Sequence, residues 1–182
     1  MTSIRSIKGT QDILPDQSHR WQALEAAIRN NMDCYGYEEI RTPAFERTEL
    51  FARGVGEETD IVSKEMYSWT DQGGENLTLK PELTAPVARA YIQHNMGGQS
   101  PTNKLYYIDA LFRRERPQKG RYRQFHQFGV EAFGSEHPEI DAEVIALAMA
   151  VFKGIGLSGL SLKLNSIGSP QCRGHYRDAL RD

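Results

Sequence analysis

Two long segments rich in aromatic and apolar residues, separated by a short break, most constrain how this chain folds. They cover residues 104–115 and 121–133, and Pro117 and Gly120 lie in the break between them. Segments of this composition on both sides of turn-forming residues are typical of a β-hairpin. The sequence therefore predicts a hairpin of two long antiparallel strands.

One face of this hairpin is predicted to collect polar side chains. Alternate residues of a strand share a face, so Arg113 lies on the same side as Glu115. On the returning strand, the residues that share one face are Phe125, Gln127, Gly129 and Glu131. The face gathers a cation, two carboxylates, an amide and an aromatic ring, and polar residues at period two favour a binding site.

Positive charge is concentrated between the two segments. Residues 113–123 hold six basic residues and one acid, whereas the chain of 182 residues has a net charge of −2. A local excess of positive charge in an otherwise acidic chain favours binding to phosphate, either of a nucleotide or of a nucleic-acid backbone. The alternative is a solvent-exposed hairpin whose arginines only decorate an edge strand, which is the usual role of a charge run.

The order of residues in this region resembles motif 2 of class II aminoacyl-tRNA synthetases, specifically of the histidyl-tRNA synthetase family. The matching run, FRRERPQKGRYRQFHQFGVE, extends from Phe112 to Glu131. Further matches follow the family's order and cover essentially the whole chain. They are the opening segment at 8–15 (KGTQDILP), motif 1 at 36–46 (GYEEIRTPAFE), the amino-acid-binding segment at 77–86 (LTLKPELTAP) and the segment at 164–168 (LNSIG).

Hydrophobic periodicity and turn residues predict the remaining elements. Helices are expected over 15–32, 47–53, from 84 toward 95 and from 138 to a stop at Gly154, and strands over 37–41, 65–70, 76–80 and 160–164. Because hairpins outnumber strand–helix–strand crossovers, the prediction is an α+β fold, with a largely antiparallel sheet flanked by helices. The resemblance implies the same architecture, that of a class II synthetase catalytic domain.

The resemblance implies activation of histidine by ATP, in which the histidine carboxylate attacks the α-phosphorus and releases pyrophosphate. Arg113 would bridge the carboxylate and the α-phosphate, because a planar guanidinium suits two anions better than an ammonium does. Arg121 would contact the terminal phosphates, Phe125 would stack on adenine, and Glu115 would accept from adenine or from the tRNA end. Mg²⁺ would neutralise the phosphates, although the sequence shows no metal-ligand set.

The resemblance also implies a histidine pocket. Glu82 and Thr84, at a predicted strand-to-helix junction, would hold the α-ammonium group, beside Arg113 at the carboxylate. Gln127 would orient the polar end of the substrate, and Glu131 would accept a hydrogen bond from the imidazole. For Glu82 and Thr84, the alternative is a simple helix cap and first-turn acid.

The outer residues of the basic segment would contact the acceptor end of tRNA(His). They are Arg114, Arg116, Gln118 and Arg123. Phosphate contacts would supply affinity, and an amide or guanidinium would read a base edge. In this family the helix and strand around motif 1 build a homodimer interface, so a homodimer is expected.

Two residues depart from the family's usual Arg-Pro-Glu-Gly-Thr in the amino-acid-binding segment. Lys80 replaces the arginine and Leu83 replaces the glycine. Leucine lacks the freedom of glycine at positive φ, so a turn that needs such a conformation would be strained at Leu83. The placement of Glu82 depends on this turn.

The family continues well beyond residue 182, so the chain is expected to form a single domain, the N-terminal portion of a catalytic core. It would carry motifs 1 and 2 without motif 3 or the anticodon-binding domain, and would not run the whole reaction alone. The alternative function is that of a catalytically silent regulatory subunit of ATP phosphoribosyltransferase in histidine biosynthesis. Such a subunit would not need the full basic loop and both phosphate-binding arginines.

Composition agrees with a cytoplasmic enzyme that has no membrane partner. No apolar run approaches the roughly 20 residues that span a bilayer, and no apolar stretch follows the basic residues of the N-terminus. Cys34 and Cys172 are far apart and have no neighbouring ligand spacing, so neither a zinc site nor a redox motif is expected.

Overall fold

The computed structural model describes residues 3–55 and 65–165, together with residues 169, 173, 176, 178 and 179. For residues 53–55 only the backbone is described. The elements, in chain order, are α1 (Pro15–Tyr35), β1 (Glu38–Glu39), β2 (Phe45–Arg47), α2 (Thr48–Val55), β3 (Ser68–Thr70), β4 (Asn76–Leu79), α3 (Thr84–Gln93), α4 (Met96–Gln99), β5 (Asn103–Phe112), β6 (Gln124–Phe133) and α5 (Pro138–Gly154).

The predicted hairpin is confirmed. Strands β5 and β6 are antiparallel, with Asn103 opposite Phe133 and Phe112 opposite Gln124. The paired strands end before the basic residues, so residues 113–123 form a loop, named here the basic loop. Its turn has Gly120 at φ 82°, a conformation that favours glycine.

Both faces of the sheet that contains the hairpin are covered by helices. Its strand order is β1-β5-β6, and β1 pairs with β5 in the parallel direction. One face packs against α1 and α5 through a cluster of Ile28, Met32, Tyr37, Tyr106, Leu147 and Val151. The other face packs against α3 through Leu83, Val87, Leu105, Tyr107 and Leu111. On the face that packs against α3, a ligand has room only beyond these core side chains.

Helix α1 has the predicted signals at both ends. Pro15 lies at its first position and Asp16 in its first turn, where a negative charge is favourable. Gly36 ends the helix in a left-handed conformation at φ 70°. The chain then enters β1, which is shorter than the predicted strand at 37–41.

A second, smaller sheet joins β2, β4 and β3 in antiparallel pairs. Lys80 links it to the hairpin, because its N–H donates to Ala44 O at 3.0 Å and its carbonyl accepts from Phe112 N at 3.0 Å. Since only the β1–β5 pairing is parallel among the described strands, the predicted α+β fold with a largely antiparallel sheet is confirmed.

The strand predicted at 160–164 is wrong. These residues form no strand in the described part of the chain, and Leu160, Leu162 and Leu164 are 43%, 53% and 73% exposed. Alternation of leucine at period two shows which side chains share a face, but a strand also needs a neighbour to pair with. Residues 166–168 of the same segment lie outside the described residues.

No helix among the described residues is long and apolar enough to cross a membrane.

Candidate active site

The candidate site lies on the α3 side of the β5–β6 hairpin and on the adjoining basic loop. The register places Glu131, Gly129, Gln127 and Phe125 opposite Leu105, Tyr107, Asp109 and Leu111. The predicted shared face of β6 is therefore observed, and β5 adds Tyr107 and Asp109 to it. The start of α3 brings Glu82 and Thr84 to the same face.

Glu131 is held by two hydroxyl groups. The Thr84 hydroxyl donates to Glu131 Oε1 at 2.7 Å, and the Tyr107 hydroxyl donates to the same oxygen at 3.4 Å. Because a hydroxyl can donate once and still accept through its lone pairs, Thr84 can receive a bond from an ammonium group at the same time. The second carboxylate oxygen of Glu131 is left to accept from a ligand N–H.

Tyr107 was not among the residues singled out from the sequence, although it lies at the centre of this end of the site. Burial, followed by the charge of Glu131, raises the pKa of its hydroxyl, so the group stays protonated and can donate. A Cβ at Gly129 would lie 2.6 Å from Tyr107 Cζ. Glycine at 129 therefore makes room for the ring of Tyr107.

Glu82 caps the start of α3 and is half-buried. Its two carboxylate oxygens each accept from Ala85 N at 3.2 Å, which caps the start of α3. Burial raises the pKa of Glu82, and the nearby charge of Glu131 adds to this effect, while the bonds from the helix start and the charge of Arg113 oppose it. These bonds fit the alternative of a helix cap, and the proximity of Glu82 to Glu131 also fits a site for an ammonium group.

The raised pKa of Glu82 predicts that a ligand ammonium group held by this carboxylate would bind with a pH-dependent affinity. A bound ammonium favours the ionised carboxylate, so binding lowers this pKa and releases a proton. If the ligand is histidine, as the resemblance implies, its affinity is expected to be complete above the raised pKa of Glu82 in the free protein and to decrease as the pH falls through it. Isothermal titration of Glu82→Gln is the control, because the substrate imidazole also titrates; a pH profile identical to that of the wild type would contradict the assignment.

The departure at Leu83 causes no strain. Its backbone is right-handed, at φ −117° and ψ −17°, so no glycine is required there. The side chain is buried in the core against α3. The turn that carries Glu82 therefore needs no positive φ at this position, and its backbone is relaxed.

Arg113 is fixed at the junction between the hairpin and the basic loop. Its Nε donates to Pro81 O at 2.9 Å, and its guanidinium lies 5.0 Å from the centre of the Phe125 ring. Both contacts hold the plane of the guanidinium. Among the described residues no carboxylate lies within ion-pairing distance of its guanidinium.

Beyond Arg113 the basic loop encloses a cavity of about 520 Å³. It is lined by Glu65, Arg113, Glu115, Gly120, Arg121, Tyr122, Phe125 and His126. The Arg121 guanidinium lies 3.5 Å from the Glu115 carboxylate, and Arg121 is largely exposed whereas Glu115 is mostly buried. The arrangement brings together the four residues predicted to contact ATP.

The buried pair of Lys80 and Asp109 supports this part of the site. Lys80 is 2% exposed and forms an ion pair with Asp109, and its ammonium also donates to Thr42 O at 3.2 Å. Asp109 is the cross-strand neighbour of Gln127. The period-two pattern of β5 identifies Tyr107 and Asp109 as residues of the site face, but only the fold reveals their partners.

The four predicted tRNA contacts do not share one environment. Arg114, Arg116 and Gln118 are exposed on the basic loop. Arg123 is half-buried, and its guanidinium donates to the carbonyls of Glu115 and Lys8 at 3.4 and 3.3 Å. The first three are free to meet a large ligand, whereas Arg123 is occupied by the protein.

The donor set of the cavity is compatible with magnesium. No cluster of three His, Cys, Asp or Glu side chains suitable for a metal is found in the part of the chain that the structure describes. Magnesium bound with a nucleotide takes only one or two carboxylates, since phosphates and water complete its shell. Glu65 and Glu115, which both line the cavity, meet that requirement.

Comparison with known proteins agrees with this geometry. The model of the histidyl-tRNA synthetase family matches residues 9–169. The chain is 58% identical to the histidine–tRNA ligase of Desulforudis audaxviator and 55% identical to that of Thermoanaerobacter pseudethanolicus, in each case over 96% of its length. It spans 42% of the length of each of these relatives.

Solved structures give the same result. Apo histidyl-tRNA synthetase from S. aureus matches with a TM-score of 0.81 and 44% identity over 98% of this chain and 41% of its own. A Bacillus halodurans protein described as an ATP phosphoribosyltransferase regulatory subunit/histidyl-tRNA synthetase matches with a TM-score of 0.73 and 29% identity over 87% of this chain and 40% of its own. The sequence match and the shared fold show that this chain belongs to the histidyl-tRNA synthetase family.

Proposed function

We propose that this chain forms the histidine- and ATP-binding part of a histidine–tRNA ligase. The observation that supports this most is the placement of two kinds of group along one face. Acidic and hydroxyl groups gather around Glu131 and Glu82 at one end, and Arg113 and Arg121 line a cavity at the other. A zwitterionic amino acid and a polyphosphate would meet between them.

In this proposal Arg113 acts on both reacting anions. The histidine carboxylate attacks the α-phosphorus, and the bond to pyrophosphate breaks, which leaves histidyl-adenylate. Negative charge grows on the phosphoryl oxygens during this step, and a fixed guanidinium stabilises it without reorganisation. The bond to Pro81 O and the contact with Phe125 support this role, because they fix Arg113 before the substrates bind.

Binding of ATP would use the remaining residues of the cavity. Arg121 would contact the terminal phosphates, and Glu115 would accept from adenine. Phe125 would stack on the base with one side of its ring, since Arg113 lies over the other. Glu65 would hold magnesium together with the phosphates, and the ion would neutralise their charge.

Histidine would bind at the opposite end, with Glu82 and Thr84 at its ammonium group, Arg113 at its carboxylate and Gln127 beside its polar end. Glu131 would accept from an imidazole N–H through the oxygen that is not bonded to Thr84 and Tyr107. A half-buried carboxylate left unpaired costs free energy, so analogues without this N–H are rejected.

Replacing Glu131 by alanine is therefore expected to reduce the selectivity for histidine by about 100-fold or more. The same change should alter KM for ATP by less than about threefold, because Glu131 lies at the histidine end of the site. A general loss of binding would instead weaken both histidine and ATP. The measurement is ATP–pyrophosphate exchange with histidine and with an analogue that lacks the N–H. An equal loss in the selectivity for histidine and in the affinity for ATP would contradict the role of Glu131.

Transfer of histidine to tRNA(His) would use the basic loop, with Arg114, Arg116 and Gln118 at the acceptor end.

A homodimer through α1 and β1 is part of the proposal, and light scattering on the complete gene product tests it; a monomer at micromolar concentration would contradict it. A cytoplasmic location follows from the proposed function, because tRNA charging serves translation there.

A regulatory subunit of ATP phosphoribosyltransferase is the second candidate, because the Bacillus halodurans structure has the same fold. The intact Arg113–Phe125 contact and the arginine-lined cavity favour the synthetase. Charging of tRNA(His) with labelled histidine by the complete gene product decides between them. Histidine binding without charging, together with activation of the phosphoribosyltransferase, would support the regulatory subunit instead.

A further inference from the structure

The N-terminal segment forms a turn that packs against the basic loop. We name residues 7–10 the N-terminal turn. Thr10 donates to Ile7 O twice, through its backbone N–H at 2.9 Å and its hydroxyl at 2.8 Å. Gly9 has φ 92°, which glycine adopts without strain. The turn is thus fixed by its own hydrogen bonds before it meets the loop.

The backbone of the turn holds the point where the loop enters β6. The Gly9 carbonyl accepts from Arg123 N at 2.7 Å and from Gln124 N at 3.4 Å. Arg123 O in turn accepts from Arg113 N at 2.9 Å. The backbone of Arg123 therefore links the N-terminal turn to the backbone of Arg113, the arginine proposed to act in catalysis.

The side chain of Arg123 completes the connection. Its Nη1 donates to Lys8 O at 3.3 Å and its Nε donates to Glu115 O at 3.4 Å. One guanidinium thus joins the N-terminal turn to both limbs of the basic loop. A lysine ammonium does not present donors in this planar arrangement.

Two features of position 9 require glycine, its close packing against the basic loop and its positive φ. A Cβ at this position would lie 2.8 Å from Pro117 Cγ and 2.9 Å from Arg123 Cγ. Any other residue would have to displace the loop as well as adopt an unfavourable φ. Gly74 offers a matched comparison, since its φ is 84° but a Cβ there would meet nothing within 4 Å.

We propose that the N-terminal turn positions the basic loop for the tRNA acceptor end, with Gly9 and Arg123 as positioning residues. This inference rests on the proposed function. A loop held in one conformation loses less conformational entropy when it binds, so Arg114, Arg116 and Gln118 can contact RNA at a lower cost. Arg123 serves the RNA through the loop and does not itself contact it.

The test compares Gly9→Ala with Gly74→Ala in the complete gene product. Gly9→Ala is expected to raise KM for tRNA(His) by about tenfold. A loop that is no longer held in one conformation has to order a few of its side chains when it binds the RNA, and this costs free energy. It should leave KM for histidine within about twofold, because the Arg113 side chain is also held by Pro81 O and Phe125, and the Glu131 end lies outside the loop. Trypsin cleavage after Lys119 and Arg121 should become several times faster in Gly9→Ala and remain unchanged in Gly74→Ala.

Arg123→Met provides a second variant that keeps the backbone of Gly9. It should also accelerate trypsin cleavage after Lys119 and Arg121. The inference is overturned if Gly9→Ala and Arg123→Met cleave at the wild-type rate, or if Gly9→Ala weakens histidine and tRNA binding equally. If the wild type charges no tRNA, the proposed function fails, and trypsin cleavage still decides whether the turn holds the loop.

Discussion

Replacing Arg113 by lysine is expected to slow histidine-dependent ATP–pyrophosphate exchange by about 100- to 1,000-fold. Lysine keeps the positive charge but loses the planar fork, the bond to Pro81 O and the contact with Phe125. The charge that develops on the phosphoryl oxygens then meets a mobile ammonium. Because that charge grows only in the transition state, the larger loss should fall on kcat, whereas KM for histidine should rise by a smaller factor, since a lysine ammonium still meets the carboxylate.

A matched control is Arg29→Lys on α1, where the guanidinium forms partly exposed ion pairs with Glu25 at 3.1 Å and with Glu39 at 3.8 Å. Such a pair contributes about 0–1 kcal/mol, so this variant should behave as the wild type. Exchange by Arg113→Lys within about threefold of the wild type would contradict the assignment. A large rise in KM with an unchanged kcat would show that Arg113 binds the substrates without a special role in the transition state.

Replacing Asp109 by asparagine is expected to destabilise the fold by about 3–5 kcal/mol, because it leaves the buried Lys80 ammonium without its counter-ion. Removing the cation of the pair instead, with Lys80→Met, should destabilise the fold by less. Asp109 is 31% exposed and can be solvated by water, whereas Lys80 is 2% exposed. The order of the two effects is the specific prediction, and urea denaturation of the 182-residue chain measures it.

The control for this pair is Lys104→Met. Lys104 lies 2.8 Å from Glu143, but both side chains are more than one-fifth exposed. A loss of about 1 kcal/mol or less is expected for this partly exposed pair. If Asp109→Asn is no more destabilising than Lys104→Met, the buried pair does not hold the β4–β5 connection together.

The sequence predicted the hairpin and its site face because both depend on local pattern. Period-two spacing places Phe125 and Glu131 on one side of a strand wherever that strand pairs. The same reasoning failed at Leu160, because a strand also requires a partner that spacing does not provide. It also overestimated the strands around the basic residues, where pairing ends at Phe112 and Gln124.

Contacts between distant segments explain what the sequence could not predict. Lys80 and Asp109 are separated by 29 residues, and Thr84 and Glu131 by 47. Nothing in the local sequence of Arg123 indicates that its guanidinium turns toward Lys8 rather than toward solvent. For Leu83, the sequence left open whether the turn needs a positive φ, and the right-handed backbone shows that it does not.

The pairing of a histidine pocket with an ATP site is tested most directly by ATP–pyrophosphate exchange on the complete gene product, run in parallel with each of the standard amino acids. Exchange with histidine alone, slowed by about 100- to 1,000-fold in the Arg113→Lys variant, is the expected result. Exchange with a different amino acid would contradict the role of Glu131, and exchange with none, in a folded protein that binds ATP, would contradict the proposed activation of histidine.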